Sequence, residues 1–137
     1  MMMFQRTRSV SSACGAALWA LASATQAGWI QDTTYSDLWV GDGAHSGLVY
    51  DAAQELTWLQ DANLFKTQSA GGNTAVRDAI ISDIGSITHA GGTHTLTTSD
   101  FDLNNGDMTW WGAVAWAQWL DYGGWDDWRL WSVTDVG

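Results

Sequence analysis

From Thr109 to Leu120 the chain reads TWWGAVAWAQWL, and within it only Gln118 is strongly polar. Thr109 suits an N-cap, the Trp/Ala-rich body suits a helix, and Gly123 suits its C-terminal stop. A helix that is apolar on every side must be buried or lie against a partner. At roughly eleven residues it is too short to cross a bilayer. The chain therefore has to build a core around this helix. Trp110, Ala113, Ala117 and Leu120 form the stripe assigned to that core, and Trp111, Ala115 and Trp119 form a second stripe.

The segments that could surround it are short. An early strand is expected near Trp29–Val40, ending in a Gly-Asp-Gly turn. SGLVYD and ELTWLQDAN read as two more strands, joined by AAQ as a hairpin. In NTAVRDAIISDIG, Val76, Ile80, Ile81 and Ile84 recur at helical spacing, with Asn73 or Thr74 as cap and Gly85 as stop. SITHAGGTHTLTTSDFDLNNGD reads as a loop with one strand around Thr95–Thr97, and DDWRLWSV returns as a strand. The order β-β-β-α-loop-α-β implies an α+β fold of short antiparallel strands with two helices, over residues 28–137.

Residues 1–27 are expected to stand outside that fold. Arg6 and Arg8 precede a short apolar run, Val10–Ala22, and the small residues of SATQA follow. This is the layout of a secretory signal peptide, with cleavage expected after Ala27 and Ala24 as second choice. The expected location is secreted: extracellular, cell surface or periplasm. The one cysteine, Cys14, lies inside the leader, so the mature chain has no disulfide to lean on.

Charge narrows the partners. The whole chain carries a formal −10, and beyond Ala27 only Lys66, Arg77 and Arg129 stand against 15 acidic residues. Such a field repels nucleic acids and anionic headgroups, so no nucleic-acid partner is expected, nor a membrane span in the mature chain. All the acids except Glu55 are Asp, which favours turns and caps.

Four constellations invite a chemical reading. In GGWDDWRLW, Trp125 follows a Gly-Gly turn and has the best claim to solvent. Trp125, Asp126, Trp128 and Arg129 form the candidate ligand set, because an indole stacks on sugar faces and Arg grips carboxylate or sulfate. The competing reading of Asp127 and Arg129 is a tether that locks this strand to the preceding turn, and it is preferred. DFDLNNGD gathers Asp100, Asp102, Asn104 and Asp107 around Gly106, and Asp102, Asn104 and Asp107 are candidate Ca²⁺ ligands. The EF-hand register fails there, which favours an Asx-rich turn leading into the helix. His89 and His94 lack a zinc spacing and read as solvated loop residues. No G-x-S-x-G, P-loop or H-E-x-x-H occurs, so no catalytic residues and no cofactor are expected.

Two stretches, GLVYDAAQELTWLQDANLFKTQ and MTWWGAVAWAQWLDYGGWDDWRL, resemble exported bacterial proteins of the DUF1566, or Lcl C-terminal domain, family. The family's G-L-x-W strand, T-W-x-x-A helix start and G-G-[YFW]-x-D-W-R-L-P block map onto Leu56–Trp58, Thr109-Trp110 with Ala113, and Gly123–Leu130. The resemblance implies a surface or extracellular module of C-type-lectin-like type directed at carbohydrate or polysaccharide, glycosaminoglycan binding being associated with one member, and no catalytic residues are established across the family. Members with LTWLQDAN often carry a C-terminal sorting signal. This chain departs from the pattern at Trp131, where the family has Pro, and the family domain runs many tens of residues further than Gly137. On that basis the sequence is read as a partial domain, truncated after the DWRL motif. The alternative expectation is a structural or assembly fragment whose Trp-rich helix packs on a missing C-terminal half or a partner, with self-association.

Overall fold

The computed structural model describes residues 4–7, by their backbone, and residues 28–132. Its strands are β1 (Phe4–Thr7), β2 (Trp29–Gln31), β3 (Leu38–Gly41), β4 (Leu48–Asp51), β5 (Leu56–Leu59), β6 (Ser86–His89), β7 (Gly92–Thr95) and β8 (Arg129–Leu130). The helices are α1 (Leu64–Gln68), α2 (Ala75–Ile84) and α3 (Trp110–Trp119). One antiparallel sheet has the order β2-β3-β4-β5-β1-β8, and β6-β7 form a separate hairpin. The fold is α+β.

Aspartate-built turns explain how such short strands pair. Asp32 accepts the amides of Thr34 and Tyr35 at 2.7 and 2.8 Å, and this Asx turn folds β2 back onto β3. The single strand expected over Trp29–Val40 is therefore a hairpin. The β4–β5 hairpin forms as expected. Its turn is closed by Asp51, which accepts from Ala53 and Gln54. Leu48 sits directly opposite Leu59 in that pair, and both are buried.

The helical layer lies on this sheet. α2 begins and ends where its periodicity places it, with the Asn73 carboxamide accepting from Ala75 and Gly85 at φ +68°. α3 starts at Thr109, whose hydroxyl accepts the Gly112 amide at 3.1 Å. It packs against α2, β6 and β8, and the Trp119 indole ties it to Asp83 of α2 at 3.0 Å. Ala113, Ala115, Trp116, Ala117 and Leu120 are buried. Trp116 is the central ring, set edge-on to Phe65 at 5.8 Å, with its Nε1 donating to the Gln68 carboxamide.

Several expectations need correction. Trp110 does not belong to the core stripe: it is 43% exposed. It is the first helical residue, and helical side chains lean toward the N-terminus, so its ring overhangs the end of the helix. Gly123 is not the α3 stop either. Leu120 ends the helix by turning extended, and Gly123 and Gly124 (φ +62° and +80°) form a separate turn between Tyr122 and Trp125. The segment read as a loop holds the β6–β7 hairpin, one turn earlier than the strand expected at Thr95–Thr97. Only Ile87 is buried among its strand residues, so the segment shows no apolar alternation in sequence. α1 was missed because five residues are too few to display a helical period.

The expected signal peptide, with Cys14 and the Ala27 cleavage site, lies outside the described residues apart from Phe4–Thr7. In the uncleaved chain those four residues pair in the sheet. As β1 they lie between β5 and β8, with Gln5 opposite both Trp58 and Arg129. The facing edges of β5 and β8 carry unpaired amides and carbonyls that an extended segment satisfies. A basic leader gives no sign of that role in sequence. Among the described residues, no helix is long and apolar enough to cross a membrane.

Candidate functional site

The sheet gathers one group of rings. Trp29 on β2 stacks on His45 with centroids 5.1 Å apart and planes 17° apart. Tyr50 on β4 lies 5.9 Å from Trp29, and Trp125 lies 6.2 Å from His45. All four side chains are half-buried. Asp42 starts the short 3-10 turn that carries His45, accepting the Gly43 amide at 2.7 Å. Gly28 permits the ring to settle, since a Cβ there would come within 2.7 Å of the imidazole Cδ2. The His45 Nδ1 is buried without a hydrogen-bond partner among the described residues. A buried polar atom left this way costs stability unless something reaches it.

Trp125 enters this group from the far end of the chain. Its turn is closed by two backbone hydrogen bonds with Tyr122, of 2.9 and 3.2 Å. A Cβ on Gly123 would lie 2.6 Å from the Leu48 side chain, so the turn sits hard against β4. Three exposed aspartates stand near these residues along the chain: Asp42 at the start of the His45 turn, Asp121 before Tyr122, and Asp126 after Trp125.

The four expected ligand residues separate here. Trp125 and Asp126 reach the surface. Trp128 is 3% exposed and donates its Nε1 to the Trp125 carbonyl at 2.9 Å, so its ring offers no face to a ligand. It holds the turn from beneath. Arg129 is half-buried on β8, and its Nη1 donates to the Leu130 carbonyl at 3.3 Å. Trp29, His45 and Tyr50 were not singled out as ligand residues. No spacing could have found them, because strand pairing brings β2, β4 and the turn between β3 and β4 together, and the distant Tyr122–Trp125 turn packs against Leu48 of β4.

A second group of rings lies where α3 meets β6–β7. His89 meets Trp110 edge-on at 5.1 Å, Trp110 meets Trp111 at 4.7 Å and 81°, and Trp111 stacks on His94 at 5.2 Å and 15°. His94 is therefore no solvated loop residue. Its Nε2 faces both oxygens of Asp100 at 3.1 Å. Asp100, 3% exposed, also accepts the Thr109 hydroxyl at 2.7 Å and the Thr97 amide at 2.9 Å. Burial works to raise the Asp100 carboxyl, but the hydrogen bonds from Thr109, Thr97 and His94 outweigh it and hold it below the usual carboxylate range.

The remaining candidate ligands form a turn. Asp102 accepts the Asn104 amide at 2.9 Å and the Asn105 side chain at 3.0 Å, while its own amide donates to the Asp107 carbonyl at 2.7 Å. Asp100 points away from them, toward His94. Among the described residues, no three His, Cys, Asp or Glu side chains are grouped to hold a metal ion. Both Asp102 carboxylate oxygens are thus taken up in building the lead-in to α3.

Comparison with family models, curated proteins and solved structures returned no match to this chain.

Proposed function

We propose that the chain is an exported, surface-associated binding module of the DUF1566 type, directed at carbohydrate and without catalysis. The observation that carries this reading is the half-buried row Tyr50, Trp29, His45 and Trp125, with exposed aspartates close by in the chain at Asp42, Asp121 and Asp126. A sugar ring has an apolar C–H face and a hydroxyl rim. Indole and phenol rings cover the first, and carboxylates accept from the second. The leader supports export, and the GGWDDWRL block supports the family and its lectin-like architecture. Cleavage after Ala27 would vacate the β1 position between β5 and β8.

The test is a glycan array probed with the exported protein and its Trp125→Ala variant. Saccharide binding that falls at least about tenfold in the variant, equal to roughly 1.4 kcal/mol, is the expected result. Equal binding by both proteins, or none by either, would remove Trp125 from the role. N-terminal mass spectrometry of the exported protein locates the cleavage.

The assembly reading keeps one specific support. Ile30, 58% exposed on the edge strand β2, and Tyr35, 64% exposed in the β2–β3 turn, form apolar surface at an open sheet edge. Self-association would use that edge rather than α3, whose buried face is covered by its own chain. Light scattering of Ile30→Lys against the parent distinguishes a dimer from a monomer.

A further inference from the structure

β1 is an inner strand of the sheet, although it comes from the leader. Gln5, Arg6 and Thr7 stand opposite Trp58, Thr57 and Leu56 of β5, while Phe4 and Gln5 stand opposite Leu130 and Arg129 of β8. An inner strand exchanges amides and carbonyls with neighbours on both sides, so both walls of its position are hydrogen-bonding backbone. Among the described residues β8 has no other strand partner, and its far side of the gap rests on α3. The register also assigns the faces. Leu59 stands opposite Leu48, and one step along the ladder from Gln5 and Trp58 the Phe4 position comes level with Leu59. Leu48 and Leu59 are in the core and Leu130 packs against it. The Phe4 position therefore stands on the apolar face, and the Arg6 position stands opposite the buried Thr57.

We infer that the gap between β5 and β8 is a strand-acceptor site in the exported protein, taking one extended peptide segment from another polypeptide chain. The inference rests on the removal of residues 1–27 in the export reading above; in the uncleaved chain Phe4–Thr7 fill the same place and show the fit. Left empty, the two walls present unpaired amides and carbonyls. Backbone hydrogen bonds to both walls give affinity, and an apolar residue at the Phe4 position gives selectivity. Charge favours a basic or neutral segment. Beyond Ala27 the chain has Lys66, Arg77 and Arg129 against 15 acidic residues, whereas β1 carries Arg6 with Arg8 following. The occupant needs both of its own edges free, which excludes β2 of a second copy, because β2 is already bonded to β3.

A labelled synthetic peptide of residues 1–9 is the probe, titrated by fluorescence anisotropy into three proteins. They are the exported protein, the full chain with its leader, and the full chain carrying Gln5→Pro. Proline at an inner strand position removes a ladder hydrogen bond and displaces β1. The expected result is at least about tenfold tighter binding to the exported protein and to Gln5→Pro than to the full chain, whose gap is filled. A peptide carrying Gln5→Pro should lose that binding, and one carrying Phe4→Ser should weaken it. The urea midpoint of the exported protein should also rise with added peptide, a readout that does not depend on Gln5→Pro folding. Equal binding to all three proteins overturns the site, as does no binding to either opened form. If mass spectrometry finds residues 1–27 still attached to the exported protein, the acceptor role is overturned, while glycan binding decides the carbohydrate reading separately. An exported protein that is a dimer by light scattering and refuses the peptide has its gap filled by a second copy, which overturns the peptide assignment.

Discussion

Both ring groups combine tryptophan with histidine at similar spacing, yet their polar edges are treated differently. At the start of α3, His94 is held by the buried Asp100, and both carboxylate oxygens are taken up by His94, Thr97 and Thr109. On the sheet, His45 stacks just as closely on Trp29, but its buried Nδ1 finds no partner among the described residues, and the neighbouring carboxylates are exposed. Ring proximity alone therefore does not mark a site. Where the polar groups satisfy one another, the rings serve as scaffold; where they are left over, the rings can serve a ligand.

The largest effect should come from breaking the scaffold. Asp100→Ala leaves the Thr109 hydroxyl, the Thr97 amide and His94 without their common acceptor, and should cost about 3 kcal/mol in urea unfolding at neutral pH. A loss below about 1 kcal/mol would erase the distinction between the two groups. The same carboxyl sets a direction in acid. Its folded-state pKa lies below that of the unfolded chain, so its stabilisation is complete above about pH 4 and is lost as pH falls through the lower, folded value. Denaturant midpoints taken from pH 5 downward should fall more steeply in the parent than in Asp100→Asn.

On the sheet side, Gly123→Ala probes the turn that delivers Trp125. It places a Cβ at φ +62° and against Leu48, and should destabilise by about 2 kcal/mol while weakening saccharide binding. The smallest effect should separate the two groups most clearly. Trp110→Ala removes a 43% exposed ring from the scaffold group and should change stability by only about 0.5 kcal/mol, leaving saccharide binding intact. If it abolishes binding while Trp125→Ala does not, the roles of the two groups are reversed.

Much of the framework could be read from the chain, for local reasons. The β4–β5 hairpin, the span of α2 and the Thr109 cap each depend on residues within one turn or one strand pair. The misreadings share a cause. Trp110 and Trp116 are the same residue type and both sit on α3, and packing edge-on to the buried Phe65 makes Trp116 the core ring. Gly123 after an apolar helix reads as a stop, although its conformation answers to the Tyr122–Trp125 turn and to Leu48. Of the candidate ligand set, Trp125 and Asp126 reach the surface because the turn lifts them, while Trp128 two residues further on is drawn beneath it.

By itself the sequence determined that a short, wholly apolar helix must be buried and that aspartates would cap and turn short strands. Those outcomes follow from composition and from spacings of a few residues. Only the tertiary structure decided which tryptophans face inward, that His94 belongs to a buried carboxylate, and that Trp29, His45 and Tyr50 meet Trp125. Burial and ring contact are set by strand pairing between distant segments, and that pairing leaves no periodic trace in the residues it joins.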